Sequence, residues 1–330
     1  MKKIIIIGYV GGGNLGDEIC AKVLLERLEE LAPQAVCEVV RVAAHPLREL
    51  VGMRKRLEGA DAVIFAGGNL LQNETSNRSL YYYLKIIKTA KALGTRVLFL
   101  SSGIGEIRGL WHERRAYRTL SGPVAFFGAR SSADAARAGR ISGAEVLLMP
   151  DMAFAISRDF SASRENIFAY IPKLKTIPSS DFFAKIKRET GCEGVVAPFF
   201  IKKDLGTAKR ISQRSGANLL VCERYEEVLS LIGKSAFVVT ERLHGAILAL
   251  ICGTPAFISA REQKAKDLVD EVRRRALSLG IASPIRFSDE LTAEKIKELG
   301  ASRSEFKLLL DNLRNDTEEG LARLLDIIGR

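Results

Sequence analysis

The stretch Thr240-Glu241-Arg242-Leu243-His244-Gly245 puts a guanidinium and an imidazole two residues apart, where a strand-like run over 236–239 gives way to a helical pattern over 243–252. A helix N-terminus at that point would favour an anion through its unpaired amides and its dipole. Arginine offers a two-pronged fork for carboxylate or phosphate. Histidine exchanges a proton near neutral pH. His244 read alone is as well a structural residue, but its pairing with Arg242 at a strand-to-helix switch points to chemistry. Thr240 reads as the helix N-cap. Lys264, beyond the next strand, either reaches the same rim as a point charge for phosphate or is a solvated helix lysine, with Lys266 close by.

The first half carries glycine-bearing loops after its strands. Gly8-Tyr9-Val10-Gly11-Gly12-Gly13-Asn14-Leu15-Gly16-Asp17-Glu18 follows the opening strand. Gly11, Gly13 and Gly16 satisfy the dinucleotide fingerprint in its strand-to-helix setting. The acidic residue expected about 20 residues on is absent, since Arg41-Val42-Ala43-Ala44 stands at the end of the second strand. Asp17 and Glu18 also occupy the helix start, where a pyrophosphate would have to lie. The loop therefore reads as presenting Gly13, Asn14 and Asp17 to hydroxyl groups, with Asp17 a candidate base, or else Asn14 and Asp17 simply cap the helix. Gly67-Gly68-Asn69-Leu70-Leu71-Gln72 follows the third strand, and Ser102-Gly103-Ile104-Gly105 the fourth. Paired glycines admit a ligand close to the backbone, and Asn69 and Gln72 suit a sugar; structural turns are the alternative. Arg130 follows the fifth strand, and Asp151 follows Pro150 as a cap or hinge residue.

The elements that must position these residues alternate. Strands are expected over 3–7, 36–42, 62–66, 96–100, 124–127 and 145–148, with helices over 15–32, 47–58, 79–93, 110–120 and 131–138 between them. After a pause at 150–166 the alternation resumes, with strands over 166–171, 194–199, 217–222, 236–239 and 255–258 and helices over 181–190, 203–214, 225–233, 243–252 and 262–279. Helices near 290–299 and 303–328 close the chain. Such alternation implies parallel sheets built of βαβ units. We expect an α/β protein of two facing Rossmann-like domains, 1–158 and 159–330, with ligands at the carboxyl ends of the strands. The last helix carries Leu308, Leu309, Leu313, Leu321, Leu324 and Ile327 on one stripe. It reads as an ordinary core helix, with packing back onto the N-terminal domain or a dimer contact as alternatives.

Composition narrows the class. The chain has 330 residues, 47% of them hydrophobic, which excludes disordered, collagenous and disulfide-scaffold proteins. A membrane-spanning helix needs about 20 apolar residues in a row; the densest runs, such as 246–252, are far shorter. The N-terminal run is too short for a signal-peptide core, and the expected location is cytoplasmic. Five scattered cysteines without a C-x-x-C pair read as buried reduced thiols, and three scattered histidines argue against a structural zinc site. The net charge of +11 favours anions: phosphates, nucleic acid or an acidic membrane face. The run Arg273-Arg274-Arg275 reads as a solvated helix face, and Tyr81-Tyr82-Tyr83 as packing.

At these loops the chain resembles the polysaccharide pyruvyl transferase family. The matching pieces are GYVGGGNLGDE (8–18), GGNLLQN (67–73), SGIG (102–105), Arg130 with its serine-rich helix start, DMAF (151–154) and ERLHGAILALICGTP (241–255). The RLH sequence followed by an apolar helix and G-x-P is the most specific. The resemblance implies a glycosyltransferase-B type architecture and the transfer of pyruvate from phosphoenolpyruvate onto two hydroxyls of a sugar, usually an N-acetylmannosamine of a cell-wall glycan, as a cyclic ketal. It implies that Arg242, Leu243 and His244 carry the donor site, with Arg130 and Lys264 as helpers. The chain departs from the family's usual residues at Ala66, Asn73, Glu106, Ser131 and 260–263. In the expected scheme His244 protonates donor C3 and Arg242 holds its carboxylate or phosphate. Lys264 and Arg130 complete the clamp, and Asp17 removes a hydroxyl proton. The scheme needs no metal and no cofactor, phosphoenolpyruvate being a substrate.

Three other classes compete. A nucleotide-sugar-dependent glycosyltransferase of the same fold would need an acidic residue for the ribose, a role open to Glu262. An NAD-dependent dehydrogenase has only the glycine pattern behind it. A nucleic-acid binder has only the charge, with no recognised module. The expected partners are phosphoenolpyruvate and a glycan or lipid-linked sugar, with peripheral membrane contact at the inner face as a further expectation.

Overall fold

A computed structural model describes the chain apart from residues 42–45, 75, 123, 157–162, 260–261, 302 and 330, and apart from the side chains of 46–49, 51, 300–301 and 303–304. Two compact units emerge. Unit 1 comprises Met1–Gly12, Asp17–Ala155 and the chain from Leu313 onward; unit 2 comprises Gly13–Gly16 and Ile156–Asn312. The expected boundary at 158/159 lies outside the described residues.

Unit 1 holds strands β1 (Lys3–Ile7), β2 (Val36–Val40), β3 (Ala62–Ala66), β4 (Arg96–Ser102), β5 (Val124–Ala129) and β6 (Glu145–Leu148). They form a parallel sheet in the order β2-β1-β3-β4-β5-β6. Its helices are α1 (Leu15–Leu31), α2 (Pro46–Leu57), α3 (Asn77–Ala92), α4 (Leu110–Leu120) and α5 (Ser132–Ser142). The unbroken isoleucine run of β1 is buried from Ile4 to Ile7, as a parallel strand covered on both faces requires. Phe65, Phe99 and Phe127 stack across β3, β4 and β5 at 4.8 and 4.7 Å because the strand register sets them side by side. Each such pair adds about 0.5–1.5 kcal/mol beyond its area burial.

Unit 2 holds β7 (Ile167–Ile171), β8 (Glu193–Val196), β9 (Asn218–Leu219), β10 (Phe237–Thr240), β11 (Ala256–Ile258) and β12 (Ile285–Phe287). These too run parallel, in the order β12-β11-β10-β7-β8-β9. Its helices are α6 (Phe182–Thr190), α7 (Ile201–Ser215), α8 (Tyr225–Lys234), α9 (Leu243–Ile251), α10 (Gln263–Ser278) and α11 (Ala293–Ala301). A last helix, α12 (Arg303–Gly329), carries the chain back to unit 1. Phe168 and Phe237 stack at 5.2 Å between β7 and β10.

Each sheet reverses its winding once, between β1 and β3 in unit 1 and between β7 and β10 in unit 2. Ligands of open α/β sheets bind beyond the strand ends at such a reversal.

Several expectations change in detail. Strand β12 falls where none was expected, its three residues being too few to show a period. The expected strand over 217–222 shrinks to two residues. Leu308 is 51% exposed, while Leu309, Leu313, Leu321, Leu324 and Ile327 are buried. Arg275 is buried rather than solvated, because Glu271 one turn earlier takes its Nε at 2.8 Å and Asn312 takes Nη1 at 2.6 Å. Cys37 is only half-buried; the other four thiols are buried. Among the described residues no helix is long and apolar enough to cross a membrane.

Candidate functional site

In unit 1 the loops after β1 and β3 meet at the winding reversal. A Cβ on Gly8 would lie 2.9 Å from the Ala66 carbonyl oxygen. Gly67 and Gly68 both take φ of +66°, a conformation that disfavours side chains. The Gly103 amide donates to the Gly68 carbonyl at 3.0 Å and the Gly67 amide to the Leu100 carbonyl at 2.8 Å, tying the second and third loops together. Arg130, just beyond β5, donates from Nη2 to Asn69 Oδ1 at 2.7 Å. A Cβ on Gly103 would overlap Asn69 Oδ1 and lie 3.0 Å from Arg130 Nη2, and one on Gly105 would lie 2.6 Å from the Gln72 Cβ. The structure thus brings Gly67, Gly68, Asn69, Gln72, Gly103, Gly105 and Arg130 to one edge of the sheet. Ser131 caps α5, accepting from the Asp134 amide at 3.1 Å.

At the start of α1, Glu18 accepts from the Gly11 amide at 2.7 Å, so this carboxylate braces the loop. Asp17 stands beside it, half-buried in the first helical turn. Further in, the Cys20 thiol donates to Asp151 Oδ1 at 3.0 Å, and the Ala153 amide donates to the same oxygen at 3.1 Å. Burial, then the Asp151 and Asp17 carboxylates, push the Cys20 thiol well above its ordinary value. Asp151 therefore caps the turn over Met152–Ala155 and holds a thiol.

In unit 2 the site gathers at the reversal between β7 and β10. Arg242 follows β10, and its Nε and Nη2 donate to Asp204 Oδ2 and Oδ1 at 2.9 and 2.5 Å. Asp204 comes from the first turn of α7, is fully buried, and also accepts from the amides of Leu174 (3.0 Å) and Phe200 (3.2 Å). The arginine fork is thus committed to an internal carboxylate rather than wholly open to a ligand. Thr240 does not cap α9. Arg242 is the N-cap residue, and Thr240 Oγ1 instead accepts from the Arg242 amide (3.0 Å) and donates to the Arg242 carbonyl (2.9 Å), fixing the backbone on both sides of that residue. A Cβ on Gly245 would overlap Thr240 Oγ1, so glycine lets α9 start hard against β10.

His244 lies half-buried in the first turn of α9 and Leu243 is buried beside it. The loop Gly13–Gly16 runs alongside: the Leu15 amide donates to the Phe199 carbonyl at 2.9 Å, and Asn14 bridges to Phe200. A Cβ on Gly16 would overlap the His244 ring and lie 2.6 Å from the His244 Cβ. Gly16, which completes a nominal dinucleotide fingerprint, is thus the seat of an imidazole.

Sequence reasoning missed Lys173, which follows β7 as Arg242 follows β10. Burial, then nearby Lys264 and Arg242, hold its ammonium below the ordinary lysine value, against the pull of Glu241 and Asp204. Glu241 is buried and accepts from the Tyr170 hydroxyl at 2.7 Å. Lys264 enters from the first turn of α10 and pairs with Glu262 Oε2 at 2.9 Å, while Lys173 pairs with Glu262 Oε1. Three neighbouring strand ends, β7, β10 and β11, therefore each deliver a cation. Reading the residue after every strand, 166–171 included, would have found Lys173; nothing in the sequence marks Asp204.

Two parallel Rossmann-like sheets, each with loops gathered at its own winding reversal, make this an α/β protein whose solved structural neighbours are of glycosyltransferase-B type. Solved structures agree on the fold. UDP-GlcNAc 2-epimerase from Neisseria meningitidis matches with a TM-score of 0.63 at 11% identity, over 99% of this chain and 100% of that one. UDP-GlcNAc 2-epimerase from Methanocaldococcus jannaschii matches at 0.57 and 14%, over 99% and 100%. The glycotransferase of kitacinnamycin matches at 0.56 and 13%, over 99% and 98%. No curated protein matches the sequence. The family model for polysaccharide pyruvyl transferase matches residues 14–262, and the chain belongs to that family.

Proposed function

We propose that this transferase moves pyruvate from phosphoenolpyruvate onto two hydroxyls of a sugar, releasing phosphate and leaving a cyclic ketal, with N-acetylmannosamine of a cell-wall glycan precursor as the acceptor. The donor half is assigned to unit 2 and the acceptor half to unit 1. The observation that carries this reading is the Lys173–Glu262–Lys264 arrangement. A carboxylate sits between two ammonium groups at the sheet reversal, next to Arg242. A donor bearing a carboxylate and a phosphate offers the same kind of anion at higher charge, and would displace Glu262 to take that seat.

In this scheme His244 delivers a proton to donor C3, which leaves C2 cation-like and open to a sugar hydroxyl. The adding hydroxyl loses its proton, with Asp17 the candidate base on the acceptor side. The C2–O bond to phosphate then breaks as phosphate leaves, and the second hydroxyl closes the ketal with loss of its own proton. Lys173 and Lys264 stabilise the departing phosphate. Arg242, anchored on Asp204, holds donor charge with the edge it has left, Arg130 keeps its expected part as a donor helper, and Asn69, which Arg130 orients at 2.7 Å, serves the acceptor hydroxyls with Gln72.

A nucleotide-sugar-dependent glycosyltransferase is the second reading, favoured by the fold neighbours solved with UDP-GlcNAc. In it Glu262 would take a ribose, yet this carboxylate is engaged by two lysines. Incubation with carbon-labelled phosphoenolpyruvate and, separately, labelled UDP-sugars decides between the two. Label carried from phosphoenolpyruvate into an acid-labile sugar product supports the pyruvyl reading; label carried only from a UDP-sugar overturns it.

A further inference from the structure

The outer face of α4 inverts the usual pattern of a surface helix. Ala116, Thr119 and Leu120 are buried, as expected of the inner side, yet Leu110, Trp111 and Tyr117 are 72%, 62% and 50% exposed. At about 100° per residue, Leu110, Arg114 and Tyr117 share one face, with Trp111 and Arg118 beside them. Leu110, Glu113, Arg114, Tyr117 and Arg118, with Ile141 of α5, line a cavity of about 370 Å³. Behind Trp111 the Arg115 guanidinium lies 5.3 Å from its ring and 4.5 Å from that of Tyr81, which holds the indole in place. The segment 108–118 carries four arginines and one glutamate. Arg108 pairs with Glu106 at 3.0 Å, while Arg114, Arg115 and Arg118 make no ion pair among the described residues.

We propose that this face of α4 docks on an anionic phospholipid bilayer. Apolar and aromatic side chains at the outermost positions, with arginines between them, are what the membrane–water boundary accepts: rings and leucine enter the headgroup region and guanidiniums meet phosphates. The net charge of +11 adds a long-range attraction to such a surface. A second copy of the chain would oppose arginines to arginines. Nucleic acid would pair with the arginines but leave Leu110 and the Ile141-lined cavity without a role.

Trp111 is the chain's one tryptophan, so its fluorescence reports this face alone. The test is titration of the full chain with vesicles of phosphatidylglycerol and phosphatidylcholine, plain or brominated in the acyl chains, at low and high salt. The expected result is a blue shift of Trp111 emission, quenching by brominated lipid, and loss of both at high salt. R114E/R118E should weaken partitioning at least about tenfold, and Leu110→Ser with Tyr117→Ser should remove the quenching while vesicle association at low salt partly survives. Unshifted emission at low salt with anionic vesicles would overturn the proposal. So would equal binding to pure phosphatidylcholine, a concentration-dependent shift without lipid, which would indicate self-association, or quenching by an oligonucleotide with none by vesicles.

Discussion

Arg242 lays the Nε–Nη2 edge of its guanidinium on Asp204 at 2.9 and 2.5 Å, and Asp204 is fully buried. Removing one partner of such a pair strands a charge in a poor solvent, at a cost of about 3–5 kcal/mol. Asp204→Ala should lose stability on that scale in urea unfolding. Asp204→Asn should lose less but raise KM for phosphoenolpyruvate, since the arginine loses the counter-charge that aims it. An Asp204→Asn protein with unchanged stability and unchanged KM would remove this residue from the account.

Gly16 faces the His244 ring with no room for a side chain. Gly16→Ala should displace the imidazole and lower kcat by about a hundredfold, the scale of misplacing a reacting group by 1 Å. Overpacking should cost about 1–3 kcal/mol of stability. His244→Ala should abolish turnover while leaving donor binding measurable by calorimetry. Full activity in either variant would contradict the acid role of His244.

The Lys173 ammonium is held below the ordinary lysine value of 10.5. As pH rises, the folded protein releases this proton before the unfolded chain does. Stability linked to the group therefore increases across the interval between the two values, whereas donor binding, which in the proposed function uses the ammonium, should decline there. KM for phosphoenolpyruvate should climb on the alkaline side below pH 10.5. Lys173→Arg, whose guanidinium stays charged, should flatten that climb, and an identical profile in the variant would exclude Lys173 from the donor site.

Thiol reactivity checks the packing independently. Cys37 is half-buried; Cys20, Cys192, Cys222 and Cys252 are buried, with Cys222 pushed up to about 11 by burial and by Glu227. Since the thiolate is the reacting form, one thiol should titrate quickly with a disulfide reagent at pH 8. The other four should wait for denaturant. Rapid reaction of Cys20 would contradict its bond to Asp151.

The fold was readable because its signals are local. The isoleucine run of β1, the helical periods between strands and the glycine loops each state their role over a few residues, and strands β1, β3 and β6 fall on their expected bounds. Strand β12 was not readable: three residues between polar segments acquire strand form only by pairing with β11. The site divides in the same way. Arg242 and His244 announce themselves by sitting together at a helix start. Asp204 is 38 residues away from Arg242, and an aspartate in a first helical turn has an ordinary local explanation. Gly16 belongs to a local pattern that suggests a phosphate, and its real constraint comes from a histidine far along the chain.

Phosphate release from phosphoenolpyruvate, followed with N-acetylmannosamine and other N-acetylhexosamines, free and lipid-linked, separates pyruvyl transfer from nucleotide-sugar chemistry. A pyruvyl transferase should release phosphate only with an acceptor, in an amount equal to the pyruvyl ketal formed, and the release should vanish in His244→Ala. Absence of release with every acceptor, together with turnover of a UDP-sugar by the same preparation, would contradict pyruvyl transfer.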